Sequence, residues 1–344
     1  MLRQGLCEEP RTSTLGTCPM NIQAVFDSVQ DDLEAVEGVL HEEGAESRIP
    51  LLSSVGEHIL AAGGKRFRPM LTILSGRLCG TPASKRIPLA ASVELIHNAT
   101  LLHDDIVDEA TLRRGRPAAH LVWGDDAGVL TANFHFSQAY SIVLKAGGLP
   151  SLRVVNRTLN AIVEGELLQF LNVGVKEMEE TQYREIILRK TAQLISTACH
   201  IGALPGDKEE LVEPMSRFGI ELGMAFQMAD DLLDYTADES VLGKKVGADF
   251  REGKFTLPLI AALGRCGDGD RQALLELLHG TPEGREQSFD RAKDLIEKND
   301  GFASTYEAAR DHVDKAVEVA SAFPEGEERQ SLVGLANFVI DRAH

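Results

Sequence analysis

Two short acidic motifs carry the strongest chemical signal in this chain: Asp104-Asp105-Ile106-Val107-Asp108 and Asp230-Asp231-Leu232-Leu233-Asp234. Aspartate is a poor residue inside a helix, and like charges on neighbouring turns repel. Each motif nevertheless closes a mostly apolar run with helical spacing. On a helix, Asp104 and Asp108 share a face, as do Asp230 and Asp234, with Asp105 and Asp231 offset by about 100°. Six carboxylates held this way are costly unless a cation joins them. Hard oxygen donors with open positions suit Mg²⁺, which takes one or two carboxylates per ion and fills the rest with phosphate oxygens and water. The pattern therefore predicts a diphosphate bridged by metal to two helices. The competing reading is a solvated acidic face. One such motif in an acidic chain would suit it; two copies, each behind an apolar helical run, do not.

An anionic ligand also needs cations. Gly63-Gly64-Lys65-Arg66-Phe67-Arg68-Pro69 places three of them after two glycines, between two predicted helices, where a flexible turn makes an anion cradle. Arginine forks match phosphate oxygens in pairs. Arg113-Arg114-Gly115-Arg116 begins five residues past Asp108, so cations and metal ligands become neighbours. Lys190, Lys244 and Lys254 are further candidates. His97 precedes Asp104 by seven residues and shares its helix face. Singly, each of these cations reads as a surface charge, and His97 as a satisfied core residue. Their company makes the case.

The elements that must hold these groups are helical. Residues 21–45 place Ile22, Val25, Phe26, Val29, Leu33, Val36 and Leu40 at steps of three and four, which predicts an amphipathic helix. Helices follow over 50–62 and 68–79. Pro82 and Pro88 bracket the entry to a buried helix from Leu89 to about Asp108. Further helices cover 118–146, 150–173, 180–203 and 208–236, and residues 254–343 give four or five more. Strand signals are poor. The reading is an all-α domain over residues 20–344, preceded by a disordered tail at 1–19, with Met20 as an alternative start of translation.

Composition agrees. The 344 residues are 43% hydrophobic and 26% charged, and 35 basic against 53 acidic residues give a net charge of −18. No basic block offers a nucleic-acid footprint. No uncharged apolar stretch reaches the ~18 residues of a membrane span, and residues 1–19 lack the apolar centre of a secretory signal. Five cysteines without CxxC spacing (Cys7, Cys18, Cys79, Cys199, Cys266) argue for a reducing compartment. The expected location is the cytoplasm, with no stable membrane anchor.

Eight stretches together resemble the all-trans polyprenyl diphosphate synthases: 63–69 (GGKRFRP), 95–108 (LIHNATLLHDDIVD), 113–115 (RRG), 164–169 (EGELLQ), 190–191 (KT), 226–235 (FQMADDLLDY), 242–244 (LGK) and 253–258 (GKFTLP). They occur in family order. The resemblance implies a helical bundle of the isoprenoid synthase type with a central apolar cavity. It implies a Mg²⁺-dependent, homodimeric enzyme, with three ions when substrate is bound, that joins isopentenyl diphosphate to an allylic diphosphate. By that resemblance Asp104, Asp105, Asp108, Asp230, Asp231 and Asp234 bind metal. Arg113, Lys190 and Lys254 contact the allylic diphosphate, with Lys244 nearby. Lys65, Arg68, His97 and Arg114 hold isopentenyl diphosphate, and Thr191 and Gln227 face the reacting carbons.

Product length is expected to depend on Ala99 and Thr100, one turn before the first motif. In the family, bulky aromatic residues here resemble a floor that stops short products. Both residues are small, and one helical turn of about 5.4 Å is roughly one isoprene unit, so a long product of roughly forty carbons is expected. Phe134, Phe136 and Phe170 are candidate floors deeper down. Where many relatives carry Gly-Asp before phenylalanine, this chain has Ala132-Asn133. The rivals are a short-chain farnesyl or geranylgeranyl synthase, a class I terpene cyclase, and a non-catalytic partner subunit or helical scaffold.

Overall fold

The computed structural model describes residues 22–45, 49–237 and 246–342. The expected tail, Met20 and Lys244 lie outside these described residues. The helices are α1 (Ile22–Ala45), α2 (Pro50–Ala61), α3 (Phe67–Leu78), α4 (Ala83–Val107), α5 (Ala119–Trp123) and α6 (Asp125–Leu171). After them come α7 (Glu180–Ile187), α8 (Gln193–Ala203), α9 (Val212–Thr236), α10 (Ala248–Glu252), α11 (Leu257–Arg265), α12 (Asp268–Leu278), α13 (Pro282–Lys298), α14 (Gly301–Ala320) and α15 (Glu327–Asp341). The all-α expectation is borne out.

Local chemistry sets most of the boundaries. Pro50 and Pro282 occupy first-turn positions, where the missing N–H is not needed. Thr281 caps α13 by accepting from the Gly284 N–H at 3.2 Å. Helix α6 is two helices joined at a kink, because Gly148 takes a left-handed φ of 72° just before Pro150.

Three sequence expectations are corrected. Helix α4 starts at Ala83, so Pro88 lies inside it. The carbonyl left without a partner is that of exposed Ser84, which water can reach. The single helix expected over 118–146 is broken at Gly124, and a two-residue antiparallel ladder precedes it, with Arg113 opposite Arg116. Residues 180–203 are interrupted by a π-helical turn at Leu188–Ala192.

The described helices from both ends of the chain share one large apolar core, in which α4 packs on α6 and α8 on α9. Helices α8 and α9 cross backbone to backbone. A Cβ at Gly223 would sit 2.4 Å from the Ala192 Cα, so glycine is required for this approach. That crossing carries Thr191 to Gln227, at the rim of a central cavity.

Candidate active site

The cavity has a volume of about 440 Å³. Its mouth lies at the ends of the two aspartate helices, and its walls come from α1, α3, α4, α6, α8, α9 and α15. The six aspartates do not behave alike. Asp104 is half-buried and Asp230 exposed, and both line the cavity. Asp108 is exposed and pairs with Lys254 at 3.2 Å. Asp105 is buried and held by the Arg113 guanidinium, whose Nε donates at 2.8 Å. Asp231 is buried and accepts from the Tyr183 hydroxyl at 2.6 Å and from Gln227 Nε2 at 2.7 Å. Asp234 accepts from the Asp249 N–H at 3.0 Å.

Burial pushes the Asp104 carboxyl up to about 7, against the pull of Lys190 and with a push from Glu166 and Asp108. Burial does the same to Asp231, up to about 7, against its two hydrogen bonds. Asp249 is raised well above the usual range by burial, then by Asp234 and Asp231. Such carboxylates are hard to charge without a cation. Among the described residues no three such side chains already converge on one cation position. That is compatible with Mg²⁺, which needs few protein ligands when phosphate oxygens complete its shell.

Across the mouth stands a basic wall. The Arg113-Arg114-Gly115-Arg116 stretch forms a two-residue hairpin turn with positive φ at Arg114 (50°) and Gly115 (77°), the turn geometry that suits the twist of the strands. It sends Arg113 to Asp105 and Arg114 to the glycine loop. A Cβ on Gly64 would lie 2.8 Å from Arg114 Nη1, so the second glycine of the loop makes room for the guanidinium. Arg68 points its Nε into the buried interior with no protein partner, and burial lowers its affinity for the proton. The His97 imidazole is held well below its usual range by burial and by the four surrounding arginines, Arg68, Arg114, Arg113 and Arg66. It is neutral near pH 7 and can offer one N–H to an anion. Lys65 is exposed, its ammonium 4.9 Å from the centre of the Phe338 ring.

Arg66 departs from the expected cradle. It sits in the left-handed region (φ 47°) and bonds Glu37 at 2.5 Å and Glu94 at 2.7 Å, tying α1 and α4 together. Lys190 pairs with Glu166 at 2.8 Å. Thr191 donates to Gln227 Oε1 at 2.8 Å, and Gln227 in turn donates to Asp231. Lys190 and Thr191 both ride on the π-helical turn, a feature frequent at functional sites. The charges of Glu252, Asp108 and Asp249 outweigh the burial of Lys254 and raise it.

Of the residues expected to set depth, Thr100 lines the cavity and donates its hydroxyl to the His97 carbonyl at 2.7 Å. Ala99 does not line it; it is fully buried in a small cluster with Val55, Ile59, Leu102, Ala119 and Ala132. Ala132 of the unusual Ala-Asn pair fills that cluster, and Asn133 faces out. Phe134 and Phe136 are half-buried, whereas Phe170 is 67% exposed and is no floor within this chain.

Sequence reasoning missed Glu94, Glu166, Tyr183, Asp249 and Arg342. Glu166 sits in the EGELLQ stretch without an assigned role. Arg342 had no sequence signal. It pairs with Asp230 at 3.3 Å and stacks over Phe226 at 4.2 Å.

A helical bundle whose cavity opens between paired aspartate motifs and an arginine wall defines an isoprenoid synthase. Residues 49–296 match the family Polyprenyl synthetase. The octaprenyl diphosphate synthase of Escherichia coli is 35% identical over 336 residues, covering 94% of this chain and 99% of that protein. A short chain isoprenyl diphosphate synthase of Methanothermobacter thermautotrophicus is 34% identical, covering 93% and 99%. The crystal structure of a polyprenyl synthase from Caulobacter crescentus, complexed with calcium and isoprenyl diphosphate, superposes with a TM-score of 0.89 at 36% identity, covering 95% of this chain and 100% of that one. The chain belongs to the polyprenyl synthetase family. It is a trans-prenyltransferase that makes prenyl diphosphates.

Proposed function

We propose that this enzyme condenses isopentenyl diphosphate with an allylic primer such as geranyl or farnesyl diphosphate, in the presence of Mg²⁺, and repeats the step to a long all-trans product of roughly forty carbons, the length of a quinone side chain, at about one isoprene unit per helical turn of depth. The observation that carries the reading is the pairing of two anion sites on one cavity. Arg68, Arg114, His97 and Lys65 form one; Asp104 and Asp230 with Arg113 and Lys190 form the other, and Lys254 joins it through its ion pair with Asp108. Asp104 and Asp108 on one helix, with Asp230 and Asp234 on the other, are the best-placed metal ligands, and three ions fit the number of carboxylates. Asp105 and Asp231 serve mainly to fix Arg113, Gln227 and Tyr183.

Bound Mg²⁺ would supply positive charge to the departing pyrophosphate. The residues do the rest. Arg113, Lys190 and Lys254 are each held by a carboxylate, so they are oriented before substrate arrives. Arg68, Arg114 and neutral His97 hold the second diphosphate so that its double bond faces the allylic carbon. Thr191 and Gln227 present dipoles toward that carbon. The apolar wall of Ile162, Leu194 and Leu101 keeps water from the carbocation. The proton lost on closure of the new alkene passes to the released pyrophosphate.

Long product is supported by the small Thr100 in the wall. A cavity of only about 440 Å³ favours a second reading, a short-chain synthase. One experiment tests both. The purified protein is given Mg²⁺, isopentenyl diphosphate and each allylic primer in turn, and the products are sized. No product dependent on isopentenyl diphosphate would refute the elongation reading, and material of fifteen or twenty carbons only would select the second.

Homodimerisation is proposed through α5 and the first half of α6. Leu121, Val122, Val129, Leu130 and Leu144 there are 37–63% exposed, an apolar stripe that a second copy would cover. A cytoplasmic location is proposed because Cys79, Cys199 and Cys266 are free thiols. Among the described residues no helix is long and apolar enough to cross a membrane.

A further inference from the structure

Arg66 lines the cavity between Lys65 and Arg68, yet its donors are already taken. Its Nε donates to Glu37 Oε1 at 2.5 Å and its Nη2 to Glu37 Oε2 at 3.3 Å, so the guanidinium fork grips one carboxylate of α1. Its Nη1 donates to Glu94 Oε1 of α4 at 2.7 Å. The Arg66 and Glu94 side chains are 11% and 4% exposed, so water and salt screen their pairing little.

The backbone beneath this clamp needs holding. Arg66 takes a left-handed φ of 47° although it bears a side chain, and it stands at the start of α3 without capping it. Such a conformation persists only where the surroundings fix it. Lys65 precedes this residue and Arg68 follows two places on, so a shift in its backbone swings both. Glu94 poses a second problem. Burial weakens the hold of Arg68 and Arg114 on their protons, and in each case Glu94 is the largest charge opposing that loss. One buried carboxylate therefore faces three guanidiniums. Bonded to Arg66, it leaves the Arg68 Nε without a protein partner.

We infer that the Glu37–Arg66–Glu94 clamp is a positioning device for isopentenyl diphosphate. It fixes the left-handed turn that presents Lys65 and Arg68, and it keeps the Glu94 carboxylate off Arg68 and Arg114, which stay open to the incoming anion. Glu37 and Arg66 are positioning residues and touch no diphosphate. The inference rests on the elongation reading above, in which this wall holds the isopentenyl substrate.

The test is steady-state kinetics of the full-length protein with Mg²⁺, each of isopentenyl and farnesyl diphosphate being varied at saturation of the other. Glu37→Gln keeps the shape of the side chain and deletes its charge. Its KM for isopentenyl diphosphate is expected to rise at least about fivefold, well within what a 1 Å displacement of binding groups costs. Its KM for farnesyl diphosphate and its kcat should stay within about twofold, since only ground-state binding of one substrate is weakened. The field alone predicts the opposite sign, because removing a negative charge from this wall would favour an anion and lower that KM. Glu34→Gln, one turn back on α1, exposed and bonded only to Gln30 in its own helix, controls for that field and should change neither KM. Arg66→Lys, which keeps the charge but loses the fork, should reproduce the selective rise. Glu37→Asp, which keeps the charge on a shorter arm, guards against misfolding of the other variants and should give an intermediate rise. A lower KM for isopentenyl diphosphate in Glu37→Gln would show that Arg66, once released, binds the anion itself, and would overturn the inference. An unchanged KM, or an equal rise for both substrates with a fall in Tm, would overturn it too, leaving the clamp a general support of the fold. Absence of any isopentenyl-dependent turnover in wild type would instead strike the elongation reading itself.

Discussion

Asp104→Asn should stabilise the metal-free protein while removing its activity. The Asp104 carboxyl rises from 3.8 to about 7 on folding, because burial penalises its charge. At about 1.4 kcal/mol per pH unit, the full penalty on the charged form would be about 4 kcal/mol. Asp104 keeps some solvent contact and shares its field with Lys190, so roughly half, about 2 kcal/mol, is the expected gain from a neutral isostere. The folded value lies above the unfolded one, so the folded protein binds more protons between pH 3.8 and about 7. Stability is lost as pH rises through that window, and the penalty is complete above it. The benefit of Asp104→Asn should therefore be near zero around pH 4 and full around pH 8. With an unfolding entropy of about 2.1 cal/mol/K per residue over 344 residues, 2 kcal/mol corresponds to about 3 °C in Tm. Thermal unfolding in chelator at the two pH values gives the answer. Prenyl transfer by the variant in Mg²⁺ should fall by at least about a hundredfold. A variant no more stable than wild type at pH 8, or equally stabilised at both pH values, would refute the argument that this carboxylate is held for a cation.

Three further outcomes are expected. Asp230→Ala should leave Tm within about 1 °C, since the side chain is 54% exposed, yet reduce turnover by orders of magnitude in the steady-state assay. Gly64→Ala pushes Arg114 Nη1 from a point 2.8 Å away from the new methyl. It should raise KM for isopentenyl diphosphate about tenfold with little change for the allylic primer, as read from separate titrations. His135 is buried and pushed down from 6.5 to about 4, so its stabilising neutrality is complete above pH 6.5 and lost as pH falls toward 4. His135→Gln should remove up to about 3 kcal/mol of that acid loss, measured as a flatter urea midpoint against pH.

Much of the fold was legible because helical periodicity and proline are local signals. The first helix, the two apolar helices ending in aspartate and the run of helices after residue 254 follow from spacing alone. Pro88 and Gly124 were misjudged for opposite reasons. Pro88 is tolerated because one lost hydrogen bond near an exposed end is cheap. Gly124 breaks its helix because a φ of 85° admits no helical continuation. The two-residue hairpin escaped notice because its turn, Arg114-Gly115, lacks flanking alternation.

The sequence by itself determined which carboxylates and cations stand at the candidate site and the helical class, since charge, donor type and periodicity are properties of residues and their near neighbours. Only the tertiary structure decided how those groups divide the work. It turned Asp105 inward onto Arg113 and Asp231 onto Gln227, tied Arg66 to Glu37 and Glu94, brought Arg342 from the far end of the chain to Asp230, and set Ala99 behind the cavity wall while Thr100 stayed in it. Which way a side chain points, and which distant helix it meets, is fixed by packing between helices far apart in sequence. The spacing of residues along one helix carries no record of that.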